Sequence, residues 1–256
     1  MLTFHSTELI QYLASARTLA FDYDGTLAPI NVPREKSRVL PELATALSKL
    51  ARKYTIAVVT TKECSFVMER TPFAHLWICS NGFEIRIGDS VVLPAKLLED
   101  IVSREALREL ISKAYELSKV YNLHIEVKRV GDLVIGFCID WRSRYTEVPK
   151  IVLDLVAEAR KRHLNVIEYP GRPYVDIFML NVDKGWALKK LIEFNLIKRP
   201  LAYFGDSEND IPAFKVADIP VLVLHDENKG LNIETKYRIE QRELSAVLYK
   251  LVNDRL

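Results

Sequence analysis

Residues 21–27 read FDYDGTL and set two carboxylates, Asp22 and Asp24, two positions apart at the end of the apolar run RTLAFD. Like charges at the mouth of a buried strand are costly unless a cation neutralises them. The pair therefore calls for a counter-charge supplied from elsewhere in the chain.

The flanking sequence shows what kind of sheet this strand joins. LPELATALSKLARK has the spacing of an amphipathic helix, and the apolar runs YTIAVVT and HLWICS follow as strands. Continuous apolar strands separated by helices predict a parallel sheet covered on both faces, a Rossmann-like α/β core. Ligands of such sheets bind at the carboxyl ends of the strands, where Asp22 and Thr60 both fall.

From about residue 83 the pattern changes. EIRIGDSVVL reads as a short hairpin, and REALRELISKAYELSKVY as a helix with Leu107, Leu110, Ile111, Ala114 and Leu117 on one stripe. HIEVKRVGDLVIGFCIDW reads as two strands around Gly131-Asp132, followed by the helix VPKIVLDLVAEARKRH and the hairpin NVIEYPGRPYVDIFML. This block predicts an α+β unit on an antiparallel sheet. KGWALKKLIEF, PLAYFGDSEND, IPVLVLH and ELSAVLYKLV then restore the strand and helix alternation. The expected organisation is a core from residues 1–82 and 181–256, interrupted by an inserted domain over residues 83–180.

Composition narrows the function classes. The 256 residues are 49% apolar, ample for a sizeable core, and Lys+Arg 36 nearly balance Asp+Glu 34. That balance predicts no nucleic-acid or membrane partner. His5, Glu8 and Arg17 break any long apolar run near the start, so no leader or membrane span is expected. Cys64, Cys79 and Cys138 are odd in number, far apart and in or beside apolar runs, which reads as unpaired core thiols in a reducing cytoplasm. The five scattered histidines make a zinc cluster unexpected.

A second acidic pair, Asp206 and Asp210, lies in GDSENDIPAF just after the strand LAYF. At a carboxyl end of the same sheet it could face Asp22 and Asp24. Four convergent carboxylates without histidine suit a hard cation, and Mg²⁺ is the best match. Lys184, in VDKGWALKK, begins a helix and would bring a fixed cation; Thr60, in VVTTKE, would bring a hydroxyl and a backbone N–H. An aspartate nucleophile, a metal, a lysine and a hydroxyl are the parts that phosphoryl transfer requires.

In this order, DYDGT, VVTT, the Lys184 segment and GDSEND resemble the four motifs of the haloacid dehalogenase superfamily. The resemblance implies that Asp22 is the nucleophile and a Mg²⁺ ligand. It makes Asp24 the general acid and base, with its carbonyl on the metal. Thr60 and Lys184 would bind the phosphoryl group, and Asp206 and Asp210 the metal, Asp210 directly or through water. Thr61 is the alternative to Thr60, which is preferred because Lys62 then stands where the related pattern has its basic residue.

An insertion between the second and third motifs, entered through SNGFEI, is similar to the C2-capped branch, many of whose members act on sugar phosphates. FDYDGTLAPI, IEVKR, IDWRSRY, GRPYVDIF and VDKGWAL resemble, more narrowly, the trehalose-phosphate phosphatases. The resemblance makes Glu126, Lys128, Arg142 and Asp176 candidate sugar-binding residues and a phosphorylated sugar the expected substrate. Glu126 and Lys128 also alternate with Ile125 and Val127, as on the polar face of any half-buried strand. Thr60-Thr61-Lys62, Asp140 and Asp176 depart from the family pattern. TTK is closer to mannosylglycerate-phosphate phosphatases, which leaves the sugar open; sucrose phosphate, phosphoglycolate and a sugar-phosphate-binding regulatory subunit are the competing expectations.

Overall fold

The computed structural model describes residues 4–30, 32–169 and 171–253. Its chain forms two compact units, Met1–Val92 with Val182–Leu256, and Leu93–Asn181.

The first unit is built on strands β1 (Thr18–Phe21), β2 (Thr55–Val59), β3 (Leu76–Cys79), β4 (Glu84–Ile87) and β5 (Ser90–Val92). Helices α1 (Phe4–Ser15), α2 (Pro41–Leu50) and α3 (Cys64–Met68) accompany them. Pro41 opens α2, where its missing N–H costs nothing, and Leu43, Ala46, Leu47 and Leu50 form its buried stripe.

The second unit contains α4 (Lys96–Glu99), α5 (Ile101–Tyr121) and α6 (Lys150–Lys161). Its strands are β6 (His124–Val130), β7 (Leu133–Asp140), β8 (Asn165–Glu168) and β9 (Tyr174–Phe178), in the antiparallel order β6-β7-β9-β8. The Asp100 side chain accepts from Ser103 N and caps the start of α5, and left-handed Asn122 ends that helix. Leu107, Leu110 and Ala114 of its predicted stripe are buried, while Ile111 and Leu117 are half-buried.

The chain then returns to the first unit with α7 (Lys184–Glu193), β10 (Leu201–Gly205), α8 (Ile211–Val216), β11 (Ile219–Leu224), β12 (Tyr237–Glu240) and α9 (Gln241–Asn253). The large sheet has the order β12-β11-β10-β1-β2-β3-β4-β5, parallel from β12 to β3. Leu19, Phe21, Ile56 and Val58 point to one face and pack with residues of α1, α2 and α9; Ala20, Ala57 and Val59 point to the other and pack with α7 and α8. The sheet is thus buried on both sides, which explains its uninterrupted apolar strands.

Two expectations are corrected here. EIRIGDSVVL does not belong to the inserted unit, because β4 pairs antiparallel with β3 and extends the core sheet, moving the boundary from 83 to Leu93. The cysteines are not all unpaired either. Cys64, at the start of α3, is disulfide-bonded to Cys79, at the end of β3, and only Cys138 is a free thiol. Trp141 is buried. No described helix is long and apolar enough to cross a membrane.

Candidate active site

Strand order gathers the predicted residues. β1 lies between β10 and β2, with Phe21 level with Phe204 on one side and Val58 on the other. Their carboxyl ends therefore bring Asp22, Asp206 and Thr60 to one edge. The stacked rings of Phe21 and Phe204, 4.6 Å between centroids, and the Asp22 N–H donated to Phe204 O at 2.8 Å fix the two acidic strand ends together. Such an aromatic pair adds about 0.5–1.5 kcal/mol beyond its burial.

Asp22, Asp206 and Asp210 each place a carboxylate oxygen within 4.8 Å of the others, and all three are buried. Gly25, at φ +76°, and Gly205 permit this crowding. A Cβ on Gly25 would lie 2.3 Å from Asp206 Oδ2, and one on Gly205 would lie 2.5 Å from Asp210 Cγ. Lys184, the first residue of α7 and wholly buried, reaches Asp22 Oδ1 at 2.8 Å and Asp210 Oδ1 at 2.6 Å. The helix start is held by Asp183, whose side chain accepts from Trp186 N.

Electrostatics follow from that count: three buried carboxylates face one ammonium. Burial raises the Asp22 carboxyl well above the ordinary carboxylate range against the pull of Lys184, with Asp210 and Asp206 adding to the rise. Burial and the adjacent Asp210 push Asp206 to about 7. Burial opposes the charge on Lys184, but Asp210 and Asp22 outweigh it and hold the ammonium above its usual range. An all-oxygen donor set with excess negative charge fits a hard divalent cation, whose charge would draw Asp22 and Asp206 back toward their ionised forms.

Asp24 is half-buried, 3.1 Å from Lys62 Nζ, and its Oδ1 accepts from Ser37 Oγ at 3.4 Å. The Thr60 hydroxyl accepts from Lys62 N at 3.1 Å. One expectation fails at this residue: the Thr60 N–H is donated to Ile78 O at 2.8 Å, so Thr60 offers its hydroxyl but not its main-chain donor.

Four site residues escaped the sequence reading. The Tyr203 hydroxyl donates to Asp210 Oδ1 at 2.6 Å. Asn209 Oδ1 lies 3.3 Å from Lys184 Nζ. His225 Nε2 lies 3.0 Å from Asp206 Oδ2, and Asn228 beside it donates to Asp206 O. Tyr203 is hidden in sequence as one more apolar strand residue. The only signal for His225 is its position just past the carboxyl end of IPVLVLH.

In the inserted unit, sheet register puts Glu126, Cys138 and Asp176 in one row and Lys128, Gly136 and Phe178 in the next. Lys128 Nζ lies 3.3 Å from Asp176 Oδ1, while Tyr169 OH donates to Asp176 Oδ2 at 2.9 Å. Asp176 is buried, yet its Oδ1 has no hydrogen bond of ordinary geometry among the described residues. Burial opposes the charge of Lys128, but Asp176 above all holds its ammonium above the usual range. Arg142 is turned onto Asp140 Oδ2 at 2.6 Å, and Glu126 is exposed. The structure therefore joins Lys128 with Asp176 and pairs Arg142 with Asp140 instead.

Residues 20–236 match the family model described as trehalose-phosphatase, and this stretch contains every residue of the candidate site. The chain belongs to the trehalose-phosphatase family. The trehalose-phosphate phosphatase of Mycobacterium tuberculosis strain H37Rv is 28% identical over 219 residues, covering 81% of this chain and 54% of that protein. This chain thus spans about half the length of its mycobacterial relatives. The phosphoglycolate phosphatase of Sulfurisphaera tokodaii is 27% identical over 209 residues, 79% of this chain and 78% of that one. Among solved structures, the C-terminal domain of Candida albicans trehalose-6-phosphate phosphatase superposes with a TM-score of 0.72 at 14% identity, covering 98% of this chain and 97% of that one. A sugar phosphatase of haloacid dehalogenase subclass IIB gives 0.61 at 15% identity, over 93% and 99%. These likenesses establish the trehalose-phosphatase member as having the haloacid dehalogenase fold.

Proposed function

We propose that this trehalose-phosphatase family chain is a Mg²⁺-dependent phosphatase that hydrolyses a phosphorylated sugar, with trehalose 6-phosphate the leading substrate. The observation that carries the reading is Lys184 held between Asp22 and Asp210 at the edge where Asp206 converges, within a segment matched by the family model.

Lys184 occupies Asp22 Oδ1, leaving Oδ2 to attack phosphorus. The new Asp22 O–P bond forms as the bond from phosphorus to the sugar oxygen breaks, and Asp24 gives that oxygen its proton. Asp24 then takes a proton from water, which attacks phosphorus and releases Asp22 and inorganic phosphate. Lys62 Nζ, 3.1 Å from Asp24 Oδ2, holds that carboxylate in place between these steps. The Thr60 hydroxyl and the Lys184 ammonium bind peripheral phosphoryl oxygens. Asp22, the Asp24 carbonyl and Asp206 would hold Mg²⁺, which when bound would supply positive charge to those oxygens. Asp210 accepts from Lys184, Tyr203 OH and the N–H groups of Asp206 and Ser207, so it shapes the site and would hold a metal directly or through water.

Asp176 Oδ1, buried and short of a donor, together with Lys128 fits a sugar hydroxyl; Glu126 is a further candidate on the same row and Arg142 a peripheral one. A cytoplasmic setting, without nucleic-acid or membrane partners, is the reading we favour. The Cys64–Cys79 bond accords with it only in an organism whose intracellular proteins carry disulfides, as those of hyperthermophiles do. Phosphoglycolate is the second substrate reading, favoured by the relative of which this chain covers 78%. Phosphate release from trehalose 6-phosphate, sucrose 6-phosphate, mannosylglycerate phosphate, glucose 6-phosphate and phosphoglycolate, with Mg²⁺ and with EDTA, tests the proposal. Mg²⁺-dependent preference for trehalose 6-phosphate supports it; preference for phosphoglycolate replaces the sugar; release from none overturns it.

A further inference from the structure

The disulfide lies on the loop that carries Thr60. Thr60, Thr61 and Lys62 connect the end of β2 to Cys64, and Cys79 ends the neighbouring strand β3. Three main-chain bonds close the same seam: Thr60 N to Ile78 O at 2.8 Å, Ser80 N to Lys62 O at 2.8 Å and Asn81 N to Thr60 O at 3.0 Å. Asn81 and Ser80 have left-handed backbone, φ +60° and +50°, and the Asn81 amide donates to Val182 O at 3.1 Å. Val182 stands two residues before Lys184. The covalent bond therefore ties the far end of the Thr60–Lys62 loop to a segment that is itself anchored beside the buried lysine.

Without that bond, the loop's downstream end is held by α3, a helix of only five residues. Its attachment would then rest on burial of Phe66 and Val67, on the three main-chain hydrogen bonds, on the Arg34–Glu63 and Lys62–Asp24 ion pairs, and on the Arg70–Ser37 and Trp77–Thr71 hydrogen bonds just beyond the helix. Cys64 and Cys79 are both fully buried, so the bond acts from within and offers no reactive surface thiol.

We infer that the Cys64–Cys79 disulfide is a positioning element for phosphoryl binding, fixing the Thr60 hydroxyl and the Lys62 ammonium in register with Asp22 and Asp24. This rests on the reading of Thr60 as a phosphoryl ligand. The bond touches neither substrate nor metal; it acts through the loop. Displacing positioning groups by an ångström is enough to lose up to about a hundredfold in rate. Ground-state phosphate contacts made by the loop appear in KM and in product inhibition, whereas loss of a group used only in the transition state appears in kcat.

The test compares wild type, Cys64→Ala/Cys79→Ala, Cys64→Ser and Thr60→Ala, each well below its melting temperature, by KM for the substrate identified in the panel and Ki for inorganic phosphate. For both cysteine variants, KM and Ki are expected to rise together by about tenfold while kcat falls by less than about threefold. Should these variants fail to fold, Cys64→Val with Cys79→Ala, which refills the buried space with apolar atoms, gives the same readout. A Ki unchanged in the disulfide-free protein while Thr60→Ala raises it overturns the positioning role and leaves the Thr60 reading intact. A Ki unchanged in Thr60→Ala overturns the Thr60 reading, and the inference with it.

Discussion

Lys184 Nζ stands 2.8 Å from Asp22 Oδ1, with the lysine fully buried at the first residue of α7 and the aspartate at the end of β1. Two segments 162 residues apart in the chain meet in one charge pair. Removing one partner of such a pair leaves an uncompensated buried charge, which costs about 3–5 kcal/mol. Lys184→Met is expected to lower stability by that order and phosphate release by about a hundredfold or more. Chemical denaturation and steady-state kinetics measure the two separately, and full activity in the variant would remove Lys184 from the mechanism.

The acidic cluster makes stability depend on pH in a definite direction. Asp206 titrates near 7 in the folded, metal-free protein against 3.8 as its ordinary value, so the folded state binds this proton more tightly. Its contribution is present in full below pH 3.8 and is lost as pH rises through 7. In EDTA the melting temperature should fall between pH 5.5 and pH 7.5, and Asp206→Asn should flatten that slope. Mg²⁺ should raise the melting temperature more at pH 7.5 than at pH 5.5. A slope that Asp206→Asn leaves unchanged would contradict the assignment.

His225 Nε2 lies 3.0 Å from Asp206 Oδ2 and so orients the Asp206 carboxylate. Partners that orient a ligand typically contribute 10- to 100-fold to metal affinity. His225→Ala should weaken Mg²⁺ binding by about that factor in calorimetry, and His225→Gln should restore part of it. Equal affinity in all three proteins would make His225 a packing residue.

Tyr203→Phe removes one of the donors to Asp210 Oδ1 while keeping the ring that packs edge-on against Phe214. A loss of about 1–3 kcal/mol in stability is expected, since a buried carboxylate oxygen loses a donor. The urea midpoint reports it, and a midpoint equal to wild type would show that Lys184 alone satisfies that oxygen.

Asp176→Asn and Lys128→Met should lower kcat/KM for the preferred sugar phosphate by about tenfold or more while leaving hydrolysis of an aryl phosphate within about threefold. Equal losses on both substrates would show that these residues support the fold of the inserted unit and do not read the sugar.

The core of this site is legible because it sits where strands end. Asp22, Thr60 and Asp206 each follow an uninterrupted apolar run, and parallel strands put such ends on one edge whatever the intervening length. Lys184 is legible through its place in the ordered motifs, although nothing local marks it as a fully buried charge. Sequence alone assigns the hairpin at 84–92 to the inserted domain, because two short strands look alike whether they pair with one another or extend a neighbour; only the pairing of β4 with β3 decides it. Cys64 and Cys79 gave no sign of pairing, since adjacency of α3 and β3 is a tertiary fact. Tyr203 and His225 owe their roles to distances of 2.6 and 3.0 Å that no spacing encodes.

The central claim is that Asp22 is the nucleophile of a Mg²⁺-dependent sugar phosphatase. Its most direct test is phosphate release from trehalose 6-phosphate by wild type and by Asp22→Asn, each at saturating Mg²⁺ and after EDTA. The account predicts turnover by wild type with Mg²⁺, none after EDTA, and a loss of at least about a thousandfold in Asp22→Asn with its melting temperature retained. Hydrolysis by Asp22→Asn within about tenfold of wild type would contradict the account.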